Sequence, residues 1–245
     1  MRTLTLFAIT AALALGQPAN RTFHFVNLQA GPQFAEAATV IRSIGDIRDL
    51  TVDAPSRTMT LQGAPEQIAL AGWLFGKLDR TAGTMTQPDA AELDYHPSGD
   101  GPDDMVRVFY CKNPALTADI QRMATVIRSL TEIRRGFLSN AAGAFVVRGT
   151  QEQMGAAKWL VESLDQPSLG FGVNQYRISD AAGENVMRLF SLPKFGSEQE
   201  LSNFASELRA ATQMRRVFTY FPLRVIAVRS TPEQVENAAR LVSRP

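Results

Sequence analysis

Apolar residues along this chain alternate between two spacings, and the same order of spacings occurs three times. A β-forming run comes first, over 21–28, 107–111 and 188–192. A helical period follows: Phe34, Ala37, Ala38, Ile41 and Ile44 lie on one face. Ile120, Met123, Ala124, Ile127 and Leu130 fill the same columns of the second stretch, and Leu201, Phe204, Ala205, Leu208 and Ala211 those of the third. Two short strands come next, 47–52 and 58–62 in the first stretch, with the turn residues Asp53-Ala54-Pro55-Ser56-Arg57 between them. The third stretch has the clearest strand pair, 216–221 and 224–229, rich in Val, Phe, Tyr and Ile. A second helix closes each stretch. Thr150 and Thr231 can cap it, Pro65 and Pro232 suit its first position, and Glu66, Glu152 and Glu233 favour its positive end.

The pattern repeats because the sequence does. Ala38-Thr39-Val40-Ile41-Arg42-Ser43 recurs letter for letter as Ala124-Thr125-Val126-Ile127-Arg128-Ser129, at an offset of 86. Extended without a gap, 21–79 against 107–165 gives 19 identities in 59 positions. A more diverged copy lies 81 further on, where Thr231-Pro232-Glu233-Gln234 matches Thr150-Gln151-Glu152-Gln153. The expected fold is therefore α+β, with three tandem β-α-β-β-α units over 21–79, 107–165 and 188–245. Each is expected to form a three-stranded mixed sheet with two helices on one face. A unit of about 58 residues buries only around 60% of its chain surface, so it is marginal alone. The intervening 80–105 carries Pro88 and a Pro/Gly/Asp run and reads as an exposed joint. The other linker, 166–187, contains the apolar 171–178, able to add a strand to a neighbouring sheet. Linkers of this length suggest beads on a string.

Residues 1–16 place the working site. Arg2 precedes an apolar run over 4–15 that ends in Ala14-Leu15-Gly16, the layout of a cleaved secretory signal. The run is short for a membrane span, which needs about 20 apolar residues, although a retained anchor is the alternative. The expected location is the periplasm or outside the cell. Without Arg2, 24 basic side chains stand against 24 acidic ones, a balance that disfavours nucleic acid or an anionic membrane as principal partner. Cys111 is the only cysteine, so neither an intrachain disulfide nor a four-cysteine metal site can form. It aligns with Phe25 and Leu192 and reads as a small hydrophobe in a strand.

In the first copy the ending runs Ser56-Arg57-Thr58-Met59-Thr60-Leu61-Gln62-Gly63-Ala64-Pro65-Glu66-Gln67 through Leu78-Asp79. In the second it runs Phe145-Val146-Val147-Arg148-Gly149-Thr150-Gln151-Glu152 through Leu164-Asp165. This ending resembles that of the periplasmic N-terminal modules of bacterial secretins, the outer-membrane channels of type II and type III secretion and of type IV pili. The resemblance covers nearly all of 17–245 and implies a non-enzymatic protein-interaction or assembly module of the cell envelope, associating with itself or with envelope proteins. It also implies packing of one unit's helical face on a neighbour's sheet. With the sequence ending at Pro245, no stretch is left for barrel strands, and the chain is not expected to be the pore.

Two other function classes fit less well. The β-α-β-β-α order is similar to that of nucleic-acid-binding KH domains, but Ile44-Gly45-Asp46-Ile47 lacks the Gly-x-x-Gly clamp such domains need. An envelope hydrolase would need a nucleophile and base; His24 and His96 are the only histidines, and neither stands in a catalytic motif. Asp100, Asp103 and Asp104 could gather a hard cation but miss the Asp-x-Asp-x-Asp-Gly spacing. No catalytic residue, cofactor or metal is expected. Trp73 and Trp159 occupy matched helix columns and read as packing. The remaining candidates are Arg134, Arg135, Arg215 and Arg216, matched pairs that could form an anionic-contact surface, with Arg48-Asp49 in the first copy.

Overall fold

A computed structural model describes residues 19–29, 31–80, 93–97, 104–111, 120–170, 174–179 and 183–243. The signal-like 1–16, most of 80–105, and Asp100 and Asp103 lie outside the described residues. Among the described residues no helix is long and apolar enough to cross a membrane.

Among the described residues, three small sheets and six helices make an α+β fold. The first sheet holds β1 (Ala19–His24), β2 (Asp49–Asp53) and β3 (Thr58–Gly63) in the order β1-β3-β2. The helices α1 (Gly31–Gly45) and α2 (Pro65–Leu78) cover one side of it. The second sheet holds β4 (Asp94–Tyr95), β5 (Met105–Tyr110), β6 (Arg135–Ser139) and β7 (Ala144–Gly149), with α3 (Ile120–Thr131) and α4 (Gln151–Leu164). The third holds β8 (Asn174–Arg177), β9 (Val186–Ser191), β10 (Arg216–Tyr220) and β11 (Val225–Ser230), with α5 (Glu198–Thr212) and α6 (Pro232–Val242). Each sheet with its two helices is called a unit below.

Two expectations about the sheets need correcting. Among the described residues every strand pair is antiparallel, so none of these sheets is mixed. The second and third sheets also have four strands, because β4 and β8, from the linkers, pair with β5 and β9. The apolar linker therefore does add a strand, and the sheet it joins is that of the following unit. The first strand ends at His24 rather than 28, because the Asp79 carboxylate takes the N–H groups of Val26, Asn27 and Leu28 at 2.8–3.1 Å. A strand that gives its amides to a carboxylate has none left for a ladder.

The beads-on-a-string expectation is also overturned. The core of the first unit is continuous with Val106, Val108, Ala144 and Val146, which line the outer face of the second sheet. The core of the second unit likewise takes in Met187, Leu189, Tyr220, Val225 and Ala227 from the outer face of the third. Thus α1 lies on the second sheet and α3 on the third. Both helices carry a second apolar stripe for this purpose: Ala37, Val40 and Ile44 in α1, and Met123, Val126 and Leu130 in α3, all buried. In α5 the same columns hold half-buried Phe204 and exposed Glu207 and Ala211, and no following sheet exists among the described residues.

Candidate contact surfaces and the arginine seams

Where α1 meets the second sheet, polar groups border the apolar contact. The Arg148 guanidinium donates to the carbonyl of Ile44, in the last turn of α1, at 2.7 Å. It also pairs through two nitrogens with the Asp104 carboxylate. Arg135, opposite Arg148 on the neighbouring strand, reaches Asp46 Oδ2 at 2.5 Å. Asp46 follows α1 in a left-handed conformation, φ 53°, which aims its carboxylate back at the seam. A cation at a helix C-terminus is favourable, because the last carbonyls carry partial negative charge. On the other flank, Glu36 of α1 accepts from the amides of Asn140 and Ala141, at 2.9 and 3.1 Å, in the turn between β6 and β7.

The second seam repeats this chemistry. Arg229 donates to the Leu130 carbonyl in the last turn of α3 at 2.7 Å and approaches Glu132 at 3.3 Å. Arg216 pairs with Glu184 at 2.8 Å and with Glu132. Glu132 is again left-handed, φ 61°. The arginines differ in surroundings: Asp104 hydrogen bonds raise Arg148 above its usual pKa, whereas burial lowers Arg229. A guanidinium stays protonated in either setting. Asp104, in turn, is held below the usual carboxylate range, first by its hydrogen bonds from Arg148.

The motif residues around the closing helix hold each unit together from within. The Gln67 side chain accepts from the Ala64 amide at 2.9 Å and donates to the Asp46 carbonyl at 2.8 Å, tying the start of α2 to the end of α1. Gln153 does the same with Thr150 and Thr131, and Gln234 reaches the Thr212 carbonyl at 3.1 Å. Asp79 is the staple described above. These residues need no ligand to account for them.

The four sequence candidates divide into two kinds. Arg135 and Arg216 bond across seams inside the chain, whereas Arg134 and Arg215, one position earlier, are exposed. Arg48, their counterpart in the first unit, is exposed too. Open grooves run beside the seams. Arg48, Asp49, Gln62 and Arg135 line one, and Asp46, Asp104, Arg134 and Arg148 line the next. In the turn after α1, Asp46 is held by Arg135.

Cys111 is half-buried just past β5, and burial pushes its thiol up to about 12. His24 is exposed on β1 and His96 follows β4. Trp73 packs on Tyr95 with ring centroids 5.4 Å apart, and Trp159 on Tyr176 at 5.6 Å. Among the described residues no three His, Cys, Asp or Glu side chains come together to hold a metal ion.

Sequence reasoning missed Arg148, Arg229, Asp46 and Glu132. A signal existed: in the aligned columns Arg148 and Arg229 match each other but face Gln62 in the first copy, while Asp46 and Glu132 face Gln213 in the third. Among the described residues the clamp residues occur at the two seams and are replaced by Gln62 on the first sheet and Gln213 after α5, both exposed.

No protein-family pattern matches the sequence, and no curated protein matches it. Among solved structures it is similar to Aeromonas hydrophila ExeD, at 14% identity over 93% of this chain and 40% of that one, with a TM-score of 0.21. A secretin chain in the ETEC pilotin–secretin complex AspS–GspD gives 14% identity over 92% of this chain and 37% of that one, also at TM-score 0.21. The chain thus spans about two fifths of the length of these structures.

Proposed function

We propose that this chain is an exported protein-interaction or assembly module of the cell envelope, built from three copies of one unit over 21–79, 107–165 and 188–245, and that it works by contact. The observation that carries the reading is the mode of packing inside the chain. Each of the first two units presents a helix stripe and a helix C-terminus as a docking site for the sheet of another unit. A fold that binds its own kind through preformed faces is suited to binding other folded proteins. The export part rests on the signal-like layout of 1–16, and the envelope setting on the resemblance in the strand-turn-helix ending.

Arg48, Arg134 and Arg215 form the proposed contact column at equivalent exposed positions, with Arg48 and Arg134 each lining a groove. Arginine suits such a role because its planar fork binds carboxylates in two-point fashion. Reversing all three to Glu leaves the seams intact and is expected to lower recovery of partners from an envelope extract, with an unchanged circular dichroism spectrum. Equal recovery by the reversed protein removes this column. A wild-type chain that stays monomeric at high concentration and recovers no partner removes the contact reading.

A further inference from the structure

The three sheets differ at one edge. In the second sheet β4 covers the outer side of β5, with Asp94 opposite Arg107 and Tyr95 opposite Val106. In the third, β8 covers β9 over Val186–Leu189, with Gln175 opposite Arg188. The equivalent edge of the first sheet is the outer side of β1, at Ala19, Asn20, Arg21 and Thr22. All four are exposed, and among the described residues no strand pairs with that side. A strand edge left this way presents unpaired N–H and C=O groups as a template for another strand.

The edge is also prepared in its side chains. Arg21, Arg107 and Arg188 hold matching poses, each guanidinium over the phenyl ring two residues on, at 5.2, 5.9 and 5.3 Å. Arg107 is met by the Asp94 carboxylate through two nitrogens. Arg188 turns to Glu236 at 3.0 Å. Arg21 has the pose of Arg107, while the strand that supplies the carboxylate in the second sheet has no counterpart beside it among the described residues. The chain therefore shows at one equivalent edge what completes such a site: a short antiparallel strand with an acidic residue facing the arginine. A second copy joined through its own β1 would set Arg21 against or diagonal to its like-charged mate, which disfavours that occupant.

We propose that the outer edge of β1 is a docking site for an extended acidic segment of a partner protein, added antiparallel with a carboxylate opposite Arg21. This deepens the contact reading above by naming a surface and the chemistry of its partner, and it rests on that reading. The test uses the isotope-labelled full chain and a blocked heptapeptide with the sequence of residues 91–97, AELDYHP. At millimolar peptide, chemical-shift changes and slowed amide exchange are expected at Ala19–Thr22. Replacing the peptide's aspartate by lysine is expected to weaken binding about fivefold, the scale of one exposed ion pair. In the Arg21→Glu chain the lysine peptide is expected to bind the better of the two. Changes centred on Val106 and Arg107, no change at Ala19–Thr22, or no charge preference overturns the proposal. The two readings separate in partner capture. If wild type and Arg21→Glu recover the same partner equally, contact stands and this edge falls. If neither recovers any while the peptide still seats at β1, the edge stands and the wider reading falls.

Discussion

The outer faces of the first and second sheets are built on the same frame and finished in opposite ways. Across the first sheet, Thr22, Thr60 and Thr51 stand in register, all exposed. Across the second, the same three positions hold Val108, Val146 and Phe137, packed under α1, and across the third Leu189, Ala227 and Phe218, packed under α3. Threonine keeps the β-branched shape that suits a strand while leaving a hydroxyl for water. At the other end of the stack Glu207 of α5 stands where α1 has Val40 and α3 has Val126. The difference teaches that these units are not interchangeable. Among the described residues, the sheet faces are apolar where a helix packs on them and the helix stripes are apolar where a sheet packs on them.

The sharpest way to break the comparison is to place one charge at matched positions of the two faces. Val146→Asp buries a carboxylate beneath α1 and is expected to cost on the order of 4 kcal/mol, because it sits among apolar side chains and Arg148, two residues along, is already held by Asp104 and the Ile44 carbonyl. Thr60→Asp, its counterpart on the first sheet, is expected to stay within about 0.5 kcal/mol. Urea midpoints of the two variants decide it, and similar losses would mean that the faces are not differently used.

The seam arginines contrast with Gln62, their counterpart in the first sheet. Arg229→Met leaves the Leu130 carbonyl and Glu132 without their buried cation, and a loss of roughly 2–4 kcal/mol is expected. Gln62→Met, at the column position that has no seam, is expected to change stability by less than about 0.5 kcal/mol. Equal midpoints for the two chains would show that the clamp contributes nothing.

The smallest effect concerns pH. Asp104 has a folded-state pKa below its usual value because Arg148 bonds its charged form. A depressed carboxylate adds stability that is present above the unfolded value, near pH ~4, and is lost as pH falls through the folded value. Asp104→Asn is therefore expected to lower stability at pH 7 and to narrow its gap from wild type as pH falls below about 4. A constant gap across that range would remove Asp104 from the seam's electrostatics.

Much of this fold was legible because helix and strand periods are local. The columns of Ile41, Ile127 and Leu208 are buried as their spacing requires, and Thr150 caps α4 with a bond from the Gln153 amide. Antiparallel pairing was not legible from the same residues, and the docking of units was signalled only by the resemblance and by the small size of each unit. Strand order depends on contacts between distant segments, and β4 is two residues long, too short to leave a periodic mark. The second apolar stripe of α1 was visible in the sequence as Val40 beside Ile41, but a buried helix flank looks the same whether a neighbour or its own unit covers it. Matching arginines showed which columns mattered. They did not show that Arg135 faces inward while Arg134 faces water, since adjacent strand residues point to opposite sides.

The central claim is that α1 and the second sheet share one core. Native-state hydrogen exchange on Val146→Asp tests it most directly, because the substituted residue belongs to β7 and its effect must cross the seam to reach α1. Amides of Val40, Ile41 and Ile44 are expected to lose protection together with those of β5 and β7. Protection of α1 that remains at the wild-type level, while β5 and β7 open, would contradict it.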